Sequence, residues 1–371
     1  MRMLLRTAAA VGIAIAMFGP AKADIKIGVA GPMTGPNAAY GQQYLAGVRA
    51  AADRINGSGG VLGEKLVVIT GDDVSDPKQG VSVANNFVAD GVKFVVGHFN
   101  SGVTIPASDV YQENDVLFVT PTATNPKVTD RGLWNAFRAC GRDDQQGSVG
   151  ARFVLDRFKG KKVAIIDDRS TAGKGLADEM RKGFEAGGGK PVLVDEINPG
   201  EEDYSAVISK IKAAGPDLLY YGGMHTEAGL LVRQMRDQGV STVLMGGDGI
   251  SNSEFASIGG PGAEGTLMTS FPDPATHPEA KDAVADLAAR KVAPEAVTLY
   301  AYAATQIIAD AIAKAGKADP KSAADYLHSG ATVSTVLGSI SYDKKGDIKQ
   351  PGFVAFVWKT VDGRLTPVEL R

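Results

Sequence analysis

The sequence predicts an α/β protein of two lobes, each built on a parallel sheet covered by helices. Three observations predict it. The chain of 371 residues is longer than one hydrophobic core usually serves, and its 44% hydrophobic content can fill two. Short apolar runs alternate with helix-patterned segments along its length, which is the pattern of a parallel sheet with crossover helices on both faces. Glycine-, proline- and hydroxyl-rich stretches recur directly after those runs, where an open parallel sheet carries its functional loops.

The first series starts with a strand at residues 25–30, the loop Gly31-Pro32-Met33-Thr34-Gly35-Pro36 and a helix at 40–55. A strand at 66–70, a helix at 78–89, a buried strand at 94–96, a helix at 104–113 and a strand at 117–120 follow. After Asp143 a second series begins, with helices at 145–158, 176–186, 204–214 and 227–238. Strands at 163–166, 192–194, 218–221 and 242–245 alternate with them. The segment Phe271-Pro272-Asp273-Pro274 ends this series, and the helices expected at 279–289 and 298–315 then need a sheet to cover, so the chain is expected to return to the first lobe. The tail reads as an antiparallel hairpin, 353–358 and 365–368 about Asp362-Gly363, that closes the second lobe. The expected division is a leader at 1–23, a first lobe of 24–142 plus 272–350, and a second of 143–271 plus 351–371.

Arg2 and Arg6 precede an apolar run at 8–18, and Ala21-Lys22-Ala23 offers a small-x-small cleavage site before Asp24. This is the pattern of a cleavable secretory signal peptide, with no cysteine after it to carry a lipid anchor. The expectation is a soluble, periplasmic protein, since no later stretch reads as long and charge-free enough to span a membrane. Without the leader the chain has 36 basic against 42 acidic residues, a net charge of about −6 that invites no nucleic acid. The single Cys140 cannot pair within the chain and reads as a small buried hydrophobe.

Reactive chemistry is hard to find. The histidines at 98, 225, 277 and 328 form no HExxH and no Cys/His cluster, so no metal site is expected. His98 and His225 fall in loops on the predicted cleft face, and either packing or the cleft accommodates them. Gly28, Gly31 and Gly35 lack GxGxxG spacing, and Ala172-Gly173-Lys174-Gly175 lacks both the upstream glycine and the following hydroxyl of a phosphate loop. No cofactor is implied. With no GxSxG elbow and no visible nucleophile and base pair, the Ser/Thr-rich loops suggest hydrogen bonding to a ligand and not an enzyme.

Gly97-His98-Phe99-Asn100-Ser101, Pro106-Ala107-Ser108-Asp109 and Thr120-Pro121-Thr122-Ala123-Thr124-Asn125-Pro126 together resemble the branched-chain amino-acid binding proteins of ABC importers. The likeness runs over residues 28–358 and includes Asp144-Gln145-Gln146-Gly147, Tyr220-Tyr221-Gly222-Gly223 and Gly246-Gly247-Asp248-Gly249. Asn135-Ala136-Phe137-Arg138, Ala263-Glu264-Gly265 and Asp343-Lys344-Lys345-Gly346-Asp347 belong to it as well. The resemblance implies a type I periplasmic binding protein, two Rossmann-like lobes with parallel sheets joined by a multi-strand hinge. It implies capture of an amino-acid-like ligand by closing lobes, delivery to the transmembrane subunits of an ABC permease, and a monomer. A sensor that presents its ligand to a membrane receptor is the alternative on the same fold.

The resemblance also implies a site. Ser101, Thr122 and Thr124, with Ala123 between the last two, would hold the ligand carboxylate, and Asp248 would meet its ammonium. Helix capping by Ser101 and Thr124 and a turn role for Asp248 are compatible structural readings. Tyr40 matches a cleft aromatic or packs on its helix, and Tyr300 lines the cleft, the hinge or neither. Asp248 stands where the leucine type has a glutamate, and Ala172 and Met224 where it has tyrosines. Phe99, just before Ser101, would fill part of the side-chain pocket. In these respects the chain looks nearer to relatives that take small neutral amino acids or γ-aminobutyrate.

Overall fold

The computed structural model describes residues 24–349 and 351–370, so the expected leader lies outside the described residues. The first sheet comprises β1 (Ile25–Gly31), β2 (Leu66–Asp72), β3 (Phe94–Val96), β4 (Leu117–Thr120) and β5 (Ala136–Arg138), all parallel in the order β2-β1-β3-β4-β5. Every residue of β3 and β4 is buried, which is why they read as unbroken apolar runs. The second sheet begins with β6 (Val163–Asp167), β7 (Leu193–Glu196), β8 (Leu218–Gly222), β9 (Val243–Gly246) and β10 (Leu267–Ser270), again parallel. A separate hairpin pairs β11 (Val333–Thr335) with β12 (Gly338–Ile340). The tail adds β13 (Val354–Val361), antiparallel to β10, and β14 (Arg364–Glu369), antiparallel to β13, so the second sheet is mixed, in the order β14-β13-β10-β9-β8-β6-β7.

Local signals hold the elements in place. Asp76 caps the helix Pro77–Ala89 by accepting from the N–H groups of Lys78 and Gln79, each at 2.9 Å, with Pro77 at the first helical position, where no N–H is needed. Ser170 caps the helix Thr171–Ala186 through Gly173 N–H at 2.9 Å. Several helices begin earlier than apolar spacing predicts: Ser101–Glu113, Thr171–Ala186, His225–Asp237 and Ala296–Ala315 start two to five residues ahead of the expected bounds. Their first turns are small or polar because they face the space between the lobes. Strands β5 and β10, the helices Ser253–Gly259 and Pro320–His328, and the β11-β12 hairpin were not predicted.

The helix Ala296–Ala315 corrects another expectation. It is long and apolar enough to cross a membrane, but it packs against Ala38–Gly57, and Ala301 and Ile308 join Ile27, Val29, Val96 and Val119 in one core. Its apolarity is that of a core helix, covered on most sides by protein.

The chain passes between the two sheets three times: after β5, after β10 and before β13. A buried guanidinium braces the first crossing. Arg138, at the end of β5, donates through Nε to Asp347 at 2.6 Å, through Nη2 to Asn125 O at 2.9 Å and Thr129 Oγ1 at 2.7 Å, and through Nη1 to Ala123 O. Arg142 grips the other oxygen of Asp347 at 2.7 Å. Arg138 thus ties the loop after β4 to a segment about two hundred residues later. Substituting Arg138→Ala leaves the loop carbonyls unpaired and Asp347 half-compensated, so urea denaturation should show a loss of about 3–5 kcal/mol; a loss below about 1 kcal/mol would mean the network does not brace the crossing.

Candidate functional site

All strands of a parallel sheet point one way, so their carboxyl ends collect loops and helix N-termini on one edge. Here the two sheets turn those edges toward each other. The first lobe supplies Tyr40 from the helix after β1, Phe99, Asn100 and Ser101 after β3, and Thr122 and Thr124 after β4. Asp143 opens the helix Asp143–Arg157 after β5. From the second lobe come Ala172, Gly173 and Leu176 after β6, Met224 after β8, Asp248 and Ser251 after β9, and Phe271 after β10. They enclose a cavity of about 40 Å³.

The cavity is small because the lobes meet around it. Tyr40 O–H donates to Gly249 O at 3.0 Å, Asn125 Nδ2 to Thr171 O at 3.1 Å, and Ser253 O–H to Glu295 at 3.3 Å. Gly173 is needed for close packing at the wall: a Cβ there would lie 2.2 Å from the Asp168 carboxylate and 2.6 Å from Gly222 O.

One end of the cavity suits an anion. Ser101 is the first residue of its helix, so the N–H groups of Ser101 and Gly102 have no intrahelical acceptor. Ser101 Oγ accepts from Asn125 N–H at 3.2 Å, which leaves its own proton to donate. Thr122 is committed differently: its hydroxyl lies 2.6 Å from Tyr44 O–H and donates to Phe99 O at 3.3 Å. It therefore fixes the wall more than it offers a free donor.

The other end suits a cation. Asp248 opens to the cavity, and burial raises its carboxyl to about 6, with the Gln146 amide moderating the rise. Asp143 is only 1% exposed, and neither carboxylate oxygen has a hydrogen-bond partner. Burial first, and Asp248 as a like charge, raise it to about 7, although Thr124 and Arg138 act in the opposite sense. Among the described residues no lysine, arginine or histidine lines the cavity.

Aromatic rings form the remaining wall. Tyr40 stacks on Phe99 at 4.4 Å and 22°, and Tyr44 meets Phe99 edge-on at 5.9 Å. Phe99 therefore stands in the wall, packed between the Tyr40 and Tyr44 rings.

Of the residues singled out from the sequence, Tyr40, Phe99, Ser101, Thr122, Thr124, Ala172, Met224 and Asp248 come together here. Three do not. Ala123 turns inward, its N–H on Thr120 Oγ1 at 3.0 Å and its carbonyl on Arg138. His225 is turned under the loop, where Nε2 lies 3.1 Å from Glu254 and burial lowers its affinity for a proton despite that carboxylate. Tyr300 packs on Phe271 at 4.7 Å, facing a separate hinge-side cavity. His98 is sealed behind the first lobe's loop, its Nδ1 2.7 Å from Asp73 and its Nε2 2.8 Å from Tyr111 O–H. Cys140 is buried, and that burial raises its thiol well above the ordinary range. Among the described residues no group of His, Cys, Asp and Glu is arranged to hold a metal. Asp143 was missed because β5, which delivers it, is only three residues long.

Two lobes that enclose one cavity, with hydroxyl and N–H donors on one side and buried carboxylates on the other, have the architecture of a two-lobed binding protein. The chain belongs to the periplasmic binding protein family, whose model matches residues 24–360. It is 50% identical to Leu/Ile/Val-binding protein homolog 1 of Brucella suis over the full length of both chains. The structure matches leucine binding protein LivK of Thermotoga maritima at a TM-score of 0.85, with 28% identity over 93% of this chain and 97% of that one. It matches LivJ of Streptococcus pneumoniae, solved with isoleucine, at 0.84, with 27% identity over 94% of this chain and all of that one.

The raised carboxyls predict how the ligand-free protein responds to pH. A folded-state value above the unfolded one contributes stability that is present at low pH and lost as pH rises through the folded value. Asp143 and Asp248 should therefore lower the ligand-free melting temperature between pH 5.5 and 8, and Asp143→Asn should melt higher than wild type at pH 8. Scanning fluorimetry checks this; equal melting of the two proteins at pH 8 would contradict the buried, unpaired carboxylate.

Proposed function

We propose that this chain is the non-enzymatic periplasmic capture component of an ABC-type importer, taking a branched-chain or small neutral amino acid. The observation that carries the reading is the opposed polarity of one closed cavity, with helix N-terminal donors and Ser101 at one end and buried carboxylates at the other. A zwitterion satisfies both ends, and only when the lobes are closed. Its carboxylate gains charge-assisted bonds from the first lobe, and its ammonium neutralises Asp248.

Closure follows from this division of labour. A ligand held by one lobe leaves the other end unpaired, so the closed form gains the second set of contacts and the equilibrium moves toward it. Tyr40 O–H on Gly249 O and Asn125 on Thr171 O then latch the lobes. The lobe limits near 142, 271 and 350, the monomeric state, delivery to permease subunits and export by the leader are parts of the same reading. The full-length likeness to the Brucella homologs supports it. The acidic surface balance offers nucleic acid no attraction.

The leucine, isoleucine and valine in the relatives' name set the first candidates. Phe99, Ala172, Met224 and the shorter Asp248 keep alanine, proline, threonine and γ-aminobutyrate beside them. Calorimetric titration of refolded, ligand-stripped protein should give micromolar or tighter binding to at least one member of this panel. Asp248→Asn should then weaken that binding by about 2–5 kcal/mol, because the ammonium is left buried without its counter-charge. Binding unchanged in Asp248→Asn, or silence across the panel, removes the amino-acid reading. If Phe99 limits the pocket, Phe99→Leu should gain leucine affinity; no gain assigns the limit elsewhere.

A further inference from the structure

The cavity holds one acidic group more than a simple zwitterion calls for. Asp248 alone balances an ammonium, yet Asp143 also lines the space, 1% exposed, with no cation on either oxygen. A buried carboxylate with no counter-ion, and with only the Thr124 hydroxyl to moderate its burial, is unfavourable by several kcal/mol as the anion, so it takes up a proton or meets a cation.

The groups around it do not supply that cation. On β5, Arg138 is spent on Asp347, two loop carbonyls and Thr129. Cys140 is buried close by, and burial keeps its thiol protonated. On Asp143's own helix, Asp144 is engaged with Arg142 at 3.0 Å, and Gln146 Nε2 donates to Thr269 O at 2.9 Å. From β8 comes Tyr220, whose buried hydroxyl has no partner. The helix Thr171–Ala186 approaches with Gly175, where a Cβ would lie 3.2 Å from Asp143 Oδ2, while Lys174 pairs outward with Asp178 at 3.3 Å. The remaining charged neighbour is Asp248, a second acid.

We propose that Asp143 is a second acidic contact for the cationic end of the captured ligand, and that it carries a proton in the empty cavity which capture displaces into solvent. This rests on the amino-acid reading above. As the ammonium enters beside Asp248, the carboxyl O–H bond breaks, the proton passes to water or buffer, and the remaining carboxylate faces the ammonium. Capture is then coupled to pH. Affinity is full where both acids are already ionised, and it falls as pH drops, by up to about tenfold per pH unit for one displaced proton. A ligand without a cationic group gains nothing from either acid.

The test uses the full mature protein with L-leucine as the probe. Titration calorimetry at pH 6, in two buffers of different ionisation enthalpy, should report release of about one proton, falling toward zero at pH 8.5. Leucine affinity should rise by about tenfold or less over the same range. Asp143→Asn should bind more weakly at pH 8.5 and lose most of the proton release and pH dependence. Because that variant could fail to bind, the ligand-free proteins are compared by infrared spectroscopy at pH 7, where the wild-type minus Asp143→Asn difference should show a protonated-carboxyl band beyond the part that Asp248 leaves in both proteins. Equal proton release in both proteins, or no such band, overturns the proposal. If leucine does not bind at any pH, the ligand reading fails separately, and the band alone then decides the proton on Asp143.

Discussion

The polarity of parallel strands is the constraint on which the rest of this molecule depends. Strands joined by crossover helices end on the same edge, and each delivers a loop or a helix N-terminus there. One such edge makes a surface, whereas two edges turned toward each other make a cavity whose halves are free to separate. Nearly every residue lining the cavity follows a strand end or opens a helix. The chemistry of the site is thus set by which short loops the sequence places after each strand, and the sheets need only hold those ends in register.

The interactions within a lobe differ in kind from those between the lobes. Within the first lobe, Arg138 fastens the loop 123–125 to Asp347, and Thr122 is bound to Tyr44 and Phe99 O, so the loop beside Ser101 is held by the lobe's own bonds. Between the lobes the polar contacts are few: Tyr40 to Gly249, Asn125 to Thr171, Ser253 to Glu295. A closed form held by so few hydrogen bonds, each contributing about 1 kcal/mol, can be opened at modest cost and re-formed by a ligand that bridges it. The buried carboxylates oppose closure of the empty protein, since each must lose water without gaining a partner.

Where burial dictated residue type, the sequence was readable. Strands β4, β6 and β8 appeared as apolar runs, and the tail hairpin announced itself through Asp362-Gly363 between two alternating segments. The helix starts were misread for the reason that makes them functional. Their first turns carry Ser101, Ala172 and His225, which face the cleft or its underside, and apolar periodicity begins only where the helix meets its core. The resemblance placed Ser101, Asp248 and Phe99 at the cavity, but side-chain direction was beyond it: His225 turns toward Glu254, and Ala123 toward the protein interior. Asp143 stood in plain view beside a quoted motif, and only burial without partners marks it.

A crystal structure of the mature protein with the tightest-binding amino acid is the most direct test of capture by opposed poles. The ligand carboxylate should lie at Ser101 and the first N–H groups of the helix Ser101–Glu113, with its ammonium at Asp248 and the lobes closed as they are here. A ligand bound the other way round, or held by one lobe with the second open, would contradict the bridging that is proposed to drive closure.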